Sequence, residues 1–171
     1  MIKPKFSLIP QFSFKNITDL TTDFLTKHDI RFLMLDLDNT IAAYDEQIFS
    51  TDIYEWLIEM RSGGTELFLI SNSTRTKRVE SFAGSIGIDF IMRSCKPSPK
   101  SLLRAMEIKG FSSDVSALAG DQIYTDALAA NRAGIISVII KPRRFTNPLL
   151  ALRYFTEVPF RALCKNKFNG V

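Results

Sequence analysis

The residues best suited to chemistry in this chain lie in two short segments eighty-five positions apart, Asp36-Leu37-Asp38-Asn39-Thr40 and Gly120-Asp121-Gln122-Ile123-Tyr124-Thr125-Asp126. Each directly follows an apolar run, 32–35 in one case and 115–119 in the other, so each puts carboxylates at the end of a strand. In an open parallel sheet such ends lie side by side along one edge, where ligands bind. Four acidic groups converging there would repel one another unless a cation neutralised them. A hard divalent ion with oxygen ligands, Mg²⁺ above all, suits that task and leaves one carboxylate free to attack phosphorus. Asp36, at the strand end itself, is the candidate nucleophile. Asp38, two residues on and pointing the same way, is placed to protonate a leaving oxygen and then to deprotonate water. Thr40 either orients Asp38 or serves the turn. An Asp-x-Asp alone is weak evidence, because turns favour Asp.

Other groups fit around that centre. Ser71-Asn72-Ser73, after the apolar stretch 67–70, can donate hydrogen bonds to a phosphate oxygen, Ser71 foremost and Asn72 beside it. Arg75, Lys77 and Arg78 fall in the first turns of the next helix and oppose its dipole; either an anion lies nearby or this is a solvated basic face. Lys96 is suited to balance charge on a phosphorylated carboxylate. Of the second acidic pair, Asp121 is the better metal ligand. Asp126 reaches the ion directly, through water, or by orienting Lys96, and Gly120 permits close backbone approach. His28, in a polar stretch, reads as structural or exposed. The chain has no zinc-type Cys/His spacing, no phosphate-binding lysine loop and no serine-hydrolase elbow.

The elements that must position these groups are legible as alternation. Apolar stretches at 32–35, 67–70, 88–92, 115–119 and 135–140 are interleaved with helical spacing over 52–61, 76–86, 99–108 and 125–133. Continuous rather than alternating strand hydrophobicity implies burial on both faces. The expected fold is α/β, a Rossmann-like doubly wound parallel sheet. Gly63-Gly64, Gly87, Gly110 and Gly134 each follow a helical stretch, as C-terminal caps do. Residues 16–27 form a further helix candidate. The chain reads as one domain over 1–171, with a core at 31–141, an N-terminal extension at 1–30 and a basic, aromatic tail at 142–171.

A hydrophobic content of 46% and a charged content of 23% over 171 residues are those of a globular protein with a sizeable core. The N-terminus lacks the pattern of a secretory signal, and every uncharged apolar run falls short of the roughly 18 residues needed to cross a bilayer. Cys95 and Cys164 have no disulfide-framework spacing, which points to two small buried side chains in a reducing, cytoplasmic setting. Charge is unevenly placed. Seven basic residues, Lys141, Arg143, Arg144, Arg153, Arg161, Lys165 and Lys167, face the single acid Glu157 within 141–171, while the rest of the chain carries a net charge of −2. Such a tail is either a solvated basic segment or a contact for an anionic partner, phospholipid or RNA. Arg75, Arg143 and Arg144 are candidates for substrate or membrane contact. Residues 149–158, ending before Pro159, form an apolar helix candidate that either docks on the sheet or lies in a membrane interface.

Asp36-x-Asp38-x-Thr40, Ser71 after a strand, Lys96-Pro97 and Gly120-Asp121-x-x-x-x-Asp126 resemble, in order and spacing, the four motifs of the haloacid dehalogenase (HAD) superfamily over about 31–141. The resemblance implies a nucleophile at Asp36, an acid/base at Asp38 with its backbone carbonyl on Mg²⁺, phosphoryl contacts from Ser71 and Lys96, and metal contacts from Asp121 and Asp126. An acid two positions after the nucleophile favours phosphatases over dehalogenases. Leu35-Asp36-Leu37-Asp38-Asn39-Thr40 looks like subclass IIIA. Ser71-Asn72-Ser73, Arg78-Val79, Gly120 to Asp126 and Asn131-Arg132 are similar to the bacterial YqeG-type proteins, relatives of the mitochondrial phosphatidylglycerophosphate phosphatase. That implies a lipid phosphate substrate at the inner membrane face; a soluble sugar or nucleotide phosphate, or a role as a partner- or RNA-binding protein on the same fold, are the alternatives. Only 41–50 is free before the next helix, and the twenty-four residues between Ser71 and Lys96 are filled by one helix and one strand. No cap domain fits, so the site is expected to be open.

Overall fold

The computed structural model describes residues 3–145, 148–164 and 166–168, the last residue by its backbone alone. Its strands are β1 (Phe12–Phe14), β2 (Phe32–Leu35), β3 (Glu66–Ile70), β4 (Asp89–Ile91), β5 (Ser116–Gly120), β6 (Ile136–Ile140) and β7 (Asn166–Phe168). The helices are α1 (Thr22–Lys27), α2 (Thr51–Ser62), α3 (Thr76–Ile86), α4 (Lys100–Lys109), α5 (Leu128–Ala133) and α6 (Pro148–Ala162). All strand pairs are parallel, in the order β4-β3-β2-β5-β6-β1-β7.

Alternation along each strand divides the core into two layers. Leu33, Leu35, Leu67, Leu69, Ala117 and Ala119 pack with Trp56 and Leu57 of α2 and Phe82 of α3. Phe32, Met34, Phe68, Ile70 and Leu118 face the other way, against Leu102 and Ala105 of α4 and Ala129 and Ala130 of α5. Helices on both faces explain why the strands are apolar throughout. From β2 the chain runs outward through β3 and β4 on one side and through β5 and β6 on the other, so the strand order reverses between β2 and β5. A crevice opens at such a reversal, beyond the carboxyl ends of the strands. Leu35 lies opposite Leu69 and Ala119, and the Asp36 amide donates to the Ala119 carbonyl at 2.9 Å. Asp36 therefore leaves the sheet at that reversal.

The ends of the chain differ from the sequence-based expectation. The helix expected over 16–27 is a 3₁₀ turn, Ile17–Asp19, followed by α1 after a break at Leu20, whose carbonyl accepts the Trp56 indole N–H at 2.8 Å. Thr21 caps α1 through its hydroxyl. That side chain serves better as an N-cap than inside a helix. Strands β1 and β7 were not expected; three residues are too few to show a period. α6 runs past Pro159 to Ala162, and β7 then pairs with β1, so the tail is built into the sheet. Lys165, a candidate contact residue of the tail, lies outside the described residues. Cys95 is exposed rather than buried, while Cys164 is buried.

Candidate active site

Three sharp chain reversals meet at the crevice. After β2, Asn39 adopts a left-handed φ of 64° and its amide donates to the Ala42 carbonyl at 2.7 Å, turning the chain back. Asn tolerates that conformation better than most residues. After β5, Gln122 leads into a single π-helical turn, Ile123–Ala127, from which Asp126 folds back and accepts the Gln122 amide at 3.0 Å. A Cβ on Gly120 would collide with the Asp126 carboxylate, so only glycine leaves room for this return. After β4, Asn72 holds the loop carrying Lys96: its carbonyl oxygen accepts from the Lys96 amide at 2.9 Å and the Ser94 hydroxyl at 2.7 Å, while its amide donates to the Lys96 carbonyl at 3.1 Å.

The centre is a buried cluster of opposite charges. The Lys96 ammonium lies 2.6 Å from Asp36 Oδ1 and 2.7 Å from Asp126 Oδ1, and also donates to the Ile70 carbonyl at 2.9 Å. Asp36, Asp121 and Asp126 each place a carboxylate oxygen within 4.8 Å of the others. Burial pushes the Asp36 carboxyl up to about 7; Lys96 opposes that shift, and Asp126 and Asp38 add to it. Asp121 is raised well above the carboxylate range by burial and by Asp36 and Asp126, with Arg153 and Arg161 opposing. Burial works against the charge on Lys96, but Asp126 and Asp36 outweigh it and hold the ammonium above its ordinary pKa. Three carboxylates against one ammonium leave excess negative charge, and the buried Asp121 Oδ1 has no hydrogen-bond donor. Such an all-oxygen donor set suits a hard divalent cation.

Several side chains sit where the sequence did not place them. Asp38 directs its carboxylate out of the cluster to Arg78 Nη1, at 2.6 Å. Arg78, nearly buried, also donates to the carbonyls of Ala43 and Glu46, so it ties α3 to the loop 41–50 and to Asp38 at once. Thr40 donates to Asp36 Oδ2 at 3.2 Å, not to Asp38. Asn72, expected on phosphate, has its amide committed to the Lys96 loop, and Ser71, wholly buried at the end of β3, accepts the Ser73 amide at 3.0 Å. Arg75 donates to the Tyr44 carbonyl at 3.0 Å. Arg143 bonds Ser50 at 3.1 Å, and Arg144 pairs with Asp45 at 3.3 Å. Arg161 is turned inward, donating to the carbonyls of Ile140 and Asp121 and pairing with Glu157 at 3.1 Å. Of the basic residues of the tail, Arg143, Arg144 and Arg161 are thus tied to groups of the fold, Arg144 at the surface.

Three groups near the cluster were not expected at the catalytic site: Tyr44 and Glu157 had no role, and Arg153 was read only as part of the basic tail. Tyr44, half-buried, is pushed up to about 12 by burial and then by the negative charges of Asp121, Asp38 and Asp36. Glu157 and Arg153 reach the crevice from α6 and line, with Asn39, Asp121, Gln122 and Tyr154, a narrow cleft. The site is without an inserted cap, but the C-terminal helix lies across one side of it. A signal was present: Arg153, Glu157 and Arg161 recur every four residues and so share one helix face.

Residues 1–143 match the family described as mitochondrial PGP phosphatase. The chain belongs to this family. It is also 30% identical over 166 residues to "Probable phosphatase YqeG" of Bacillus subtilis, with 97% of this chain and 95% of that protein aligned. Among solved structures, 3-deoxy-D-manno-octulosonate 8-phosphate phosphatase from Moraxella catarrhalis, in complex with magnesium, phosphate and KDO, superposes with a TM-score of 0.56 at 18% identity, covering 86% of this chain and 81% of that one. A hypothetical protein of Xanthomonas campestris gives 0.56 at 19% identity, over 81% and 78%. The fold is thus that of HAD phosphatases, and the PGP phosphatase family member described here is a phosphoric monoester hydrolase. No helix among the described residues is long and apolar enough to cross a membrane.

Proposed function

We propose that this phosphatase hydrolyses phosphatidylglycerophosphate at the inner membrane face through a phosphorylated Asp36. The carrying observation is the packing of Asp36 between Lys96 and the Asp121–Asp126 pair at the strand reversal. Asp36, Asp121 and the backbone carbonyl of Asp38 are assigned to Mg²⁺, with Asp126 close by. The cation supplies charge neutralisation for the carboxylates and the phosphoryl oxygens. Thr40 and Lys96 orient the Asp36 carboxylate, and Asp126 holds Lys96 in turn. Asp36 attacks phosphorus, the bond from phosphorus to the alcohol oxygen breaks, and that oxygen takes a proton from Asp38, whose carboxyl group must first turn from Arg78 toward the cluster. Water then attacks phosphorus, gives its proton to Asp38, and releases inorganic phosphate while Asp36 is restored. Ser71 and Lys96 are assigned to the phosphoryl oxygens.

A lipid substrate is supported by the outward side of α6. Leu149, Leu152 and Phe155 are 76%, 62% and 69% exposed, beside a site whose mouth the same helix borders. An apolar stripe of that kind suits the interfacial zone of a membrane, with Arg144 partly exposed at the start of the same tail. The test measures phosphate release from phosphatidylglycerophosphate in mixed micelles, and from sugar and nucleotide monophosphates, with Mg²⁺ or with chelator. Mg²⁺-dependent turnover highest on the lipid is expected. Asp36→Asn should be inactive, and Asp38→Asn should accumulate phosphoenzyme. Substantial activity of Asp36→Asn would refute the mechanism, and a soluble ester turned over faster than the lipid would refute the substrate.

A further inference from the structure

Among the arginines of the tail, Arg143, Arg144 and Arg161 are tied to oxygen acceptors of the fold. Arg153 makes no side-chain hydrogen bond or ion pair among the described residues, yet it is only half exposed and lines the cleft beside Asp121 and Asn39. Its helix is fixed from below. One and two turns further along the same face, Glu157 and Arg161 pair with each other, and Arg161 donates to the backbone carbonyls of Asp121 and Ile140. Its guanidinium also stacks 4.8 Å from the Tyr154 ring centre, and the Tyr124 hydroxyl donates to the Thr156 carbonyl at 3.1 Å. The anchor therefore locks α6 to the loop that carries Asp121, which puts Arg153 at the mouth of the site with no side-chain partner among the described residues. Its charge is felt at both Asp121 and Tyr44, which lie on opposite loops of the crevice.

Lys96, paired with Asp36 and Asp126 at the floor, is assigned to the phosphate that is removed. A substrate with only its scissile phosphate would leave Arg153 without a partner. We propose that Arg153 binds a second anionic group of the substrate, making the site selective for phosphomonoesters that carry a phosphodiester a few bonds from the phosphate to be removed. The planar guanidinium offers two parallel N–H donors to a phosphodiester, a match that an ammonium does not reproduce. This inference rests on the phosphatase function and deepens the substrate assignment. It does not depend on a membrane, because the second anion belongs to the head group.

The test uses soluble esters and the full chain. Values of kcat/KM are compared for glycerophosphoglycerophosphate, the deacylated head group, and for glycerol 3-phosphate, which lacks the diester. Wild type should prefer the first. Arg153→Gln should lower the ratio of the two kcat/KM values about tenfold to a hundredfold, the worth of a charge-assisted hydrogen-bonded pair. Arg153→Lys should restore part of that ratio. A purely structural role would lower both values together and leave the ratio unchanged, which would overturn the inference. Wild type that hydrolyses both esters without preference would also overturn it, leaving the phosphatase assignment intact. Failure on every ester would overturn both.

Discussion

Replacing Lys96 by Met removes the cation from the floor of the site while keeping an unbranched apolar stem up to the position of the lysine Cε. Lys96 is 5% exposed and touches Asp36 and Asp126 at 2.6 and 2.7 Å, so neither carboxylate can turn to water in compensation. At an effective dielectric constant of about 20 and a charge separation of about 4 Å, each contact contributes on the order of 4 kcal/mol of attraction. Recovering the desolvation of the ammonium offsets part of the loss. Breaking a buried pair from one side costs about 3–5 kcal/mol in comparable sites. For a chain of 171 residues that is a fall in Tm of roughly 6–20 °C. The assay is urea and thermal unfolding in chelator, for Lys96→Met, Asp126→Asn and the double variant. The double variant should lose at least about 1 kcal/mol less than the sum of the singles, because each substitution removes the charge that the other strands. A cost below about 1 kcal/mol for Lys96→Met, or strict additivity, would refute the buried charge cluster as the organising feature of the site.

Metal stabilisation should grow with pH. Burial raises Asp36 to about 7 without metal, and a carboxyl so raised favours the fold while protonated and loses that margin as pH climbs through about 7. Mg²⁺ must displace that proton, so its increment in Tm should be larger at about pH 8 than at about pH 6; equal increments in thermal scans would argue against Asp36 as a ligand. Leu152→Ser combined with Phe155→Ser should reduce co-sedimentation with anionic vesicles at least about tenfold, given roughly 1.5–3 kcal/mol for each large apolar side chain removed from water. Unchanged vesicle binding would mean that the outward face of α6 is not a membrane contact.

The sequence by itself determined the layers and the floor of the site. Short continuous apolar runs alternating with helical segments point to strands buried on both faces, and the acidic segments at 36–40 and 120–126 follow two of those strands directly. Register then makes them neighbours, because β2 and β5 pair side by side. What the sequence left open turned on competition between partners for one charge. Asp38 and Arg78 are forty residues apart, and nothing local says that the carboxylate turns toward that arginine rather than toward the cluster. Asn72 has polar groups fit for phosphate, but the unpaired amide and carbonyl of the Lys96 loop claim them first. Net charge made the tail look free and basic. Only the packing of α6 against the Asp121 loop decided that Arg161 points inward, to backbone carbonyls otherwise unsatisfied by a side chain, and the same placement of the helix brings Arg153 to the crevice.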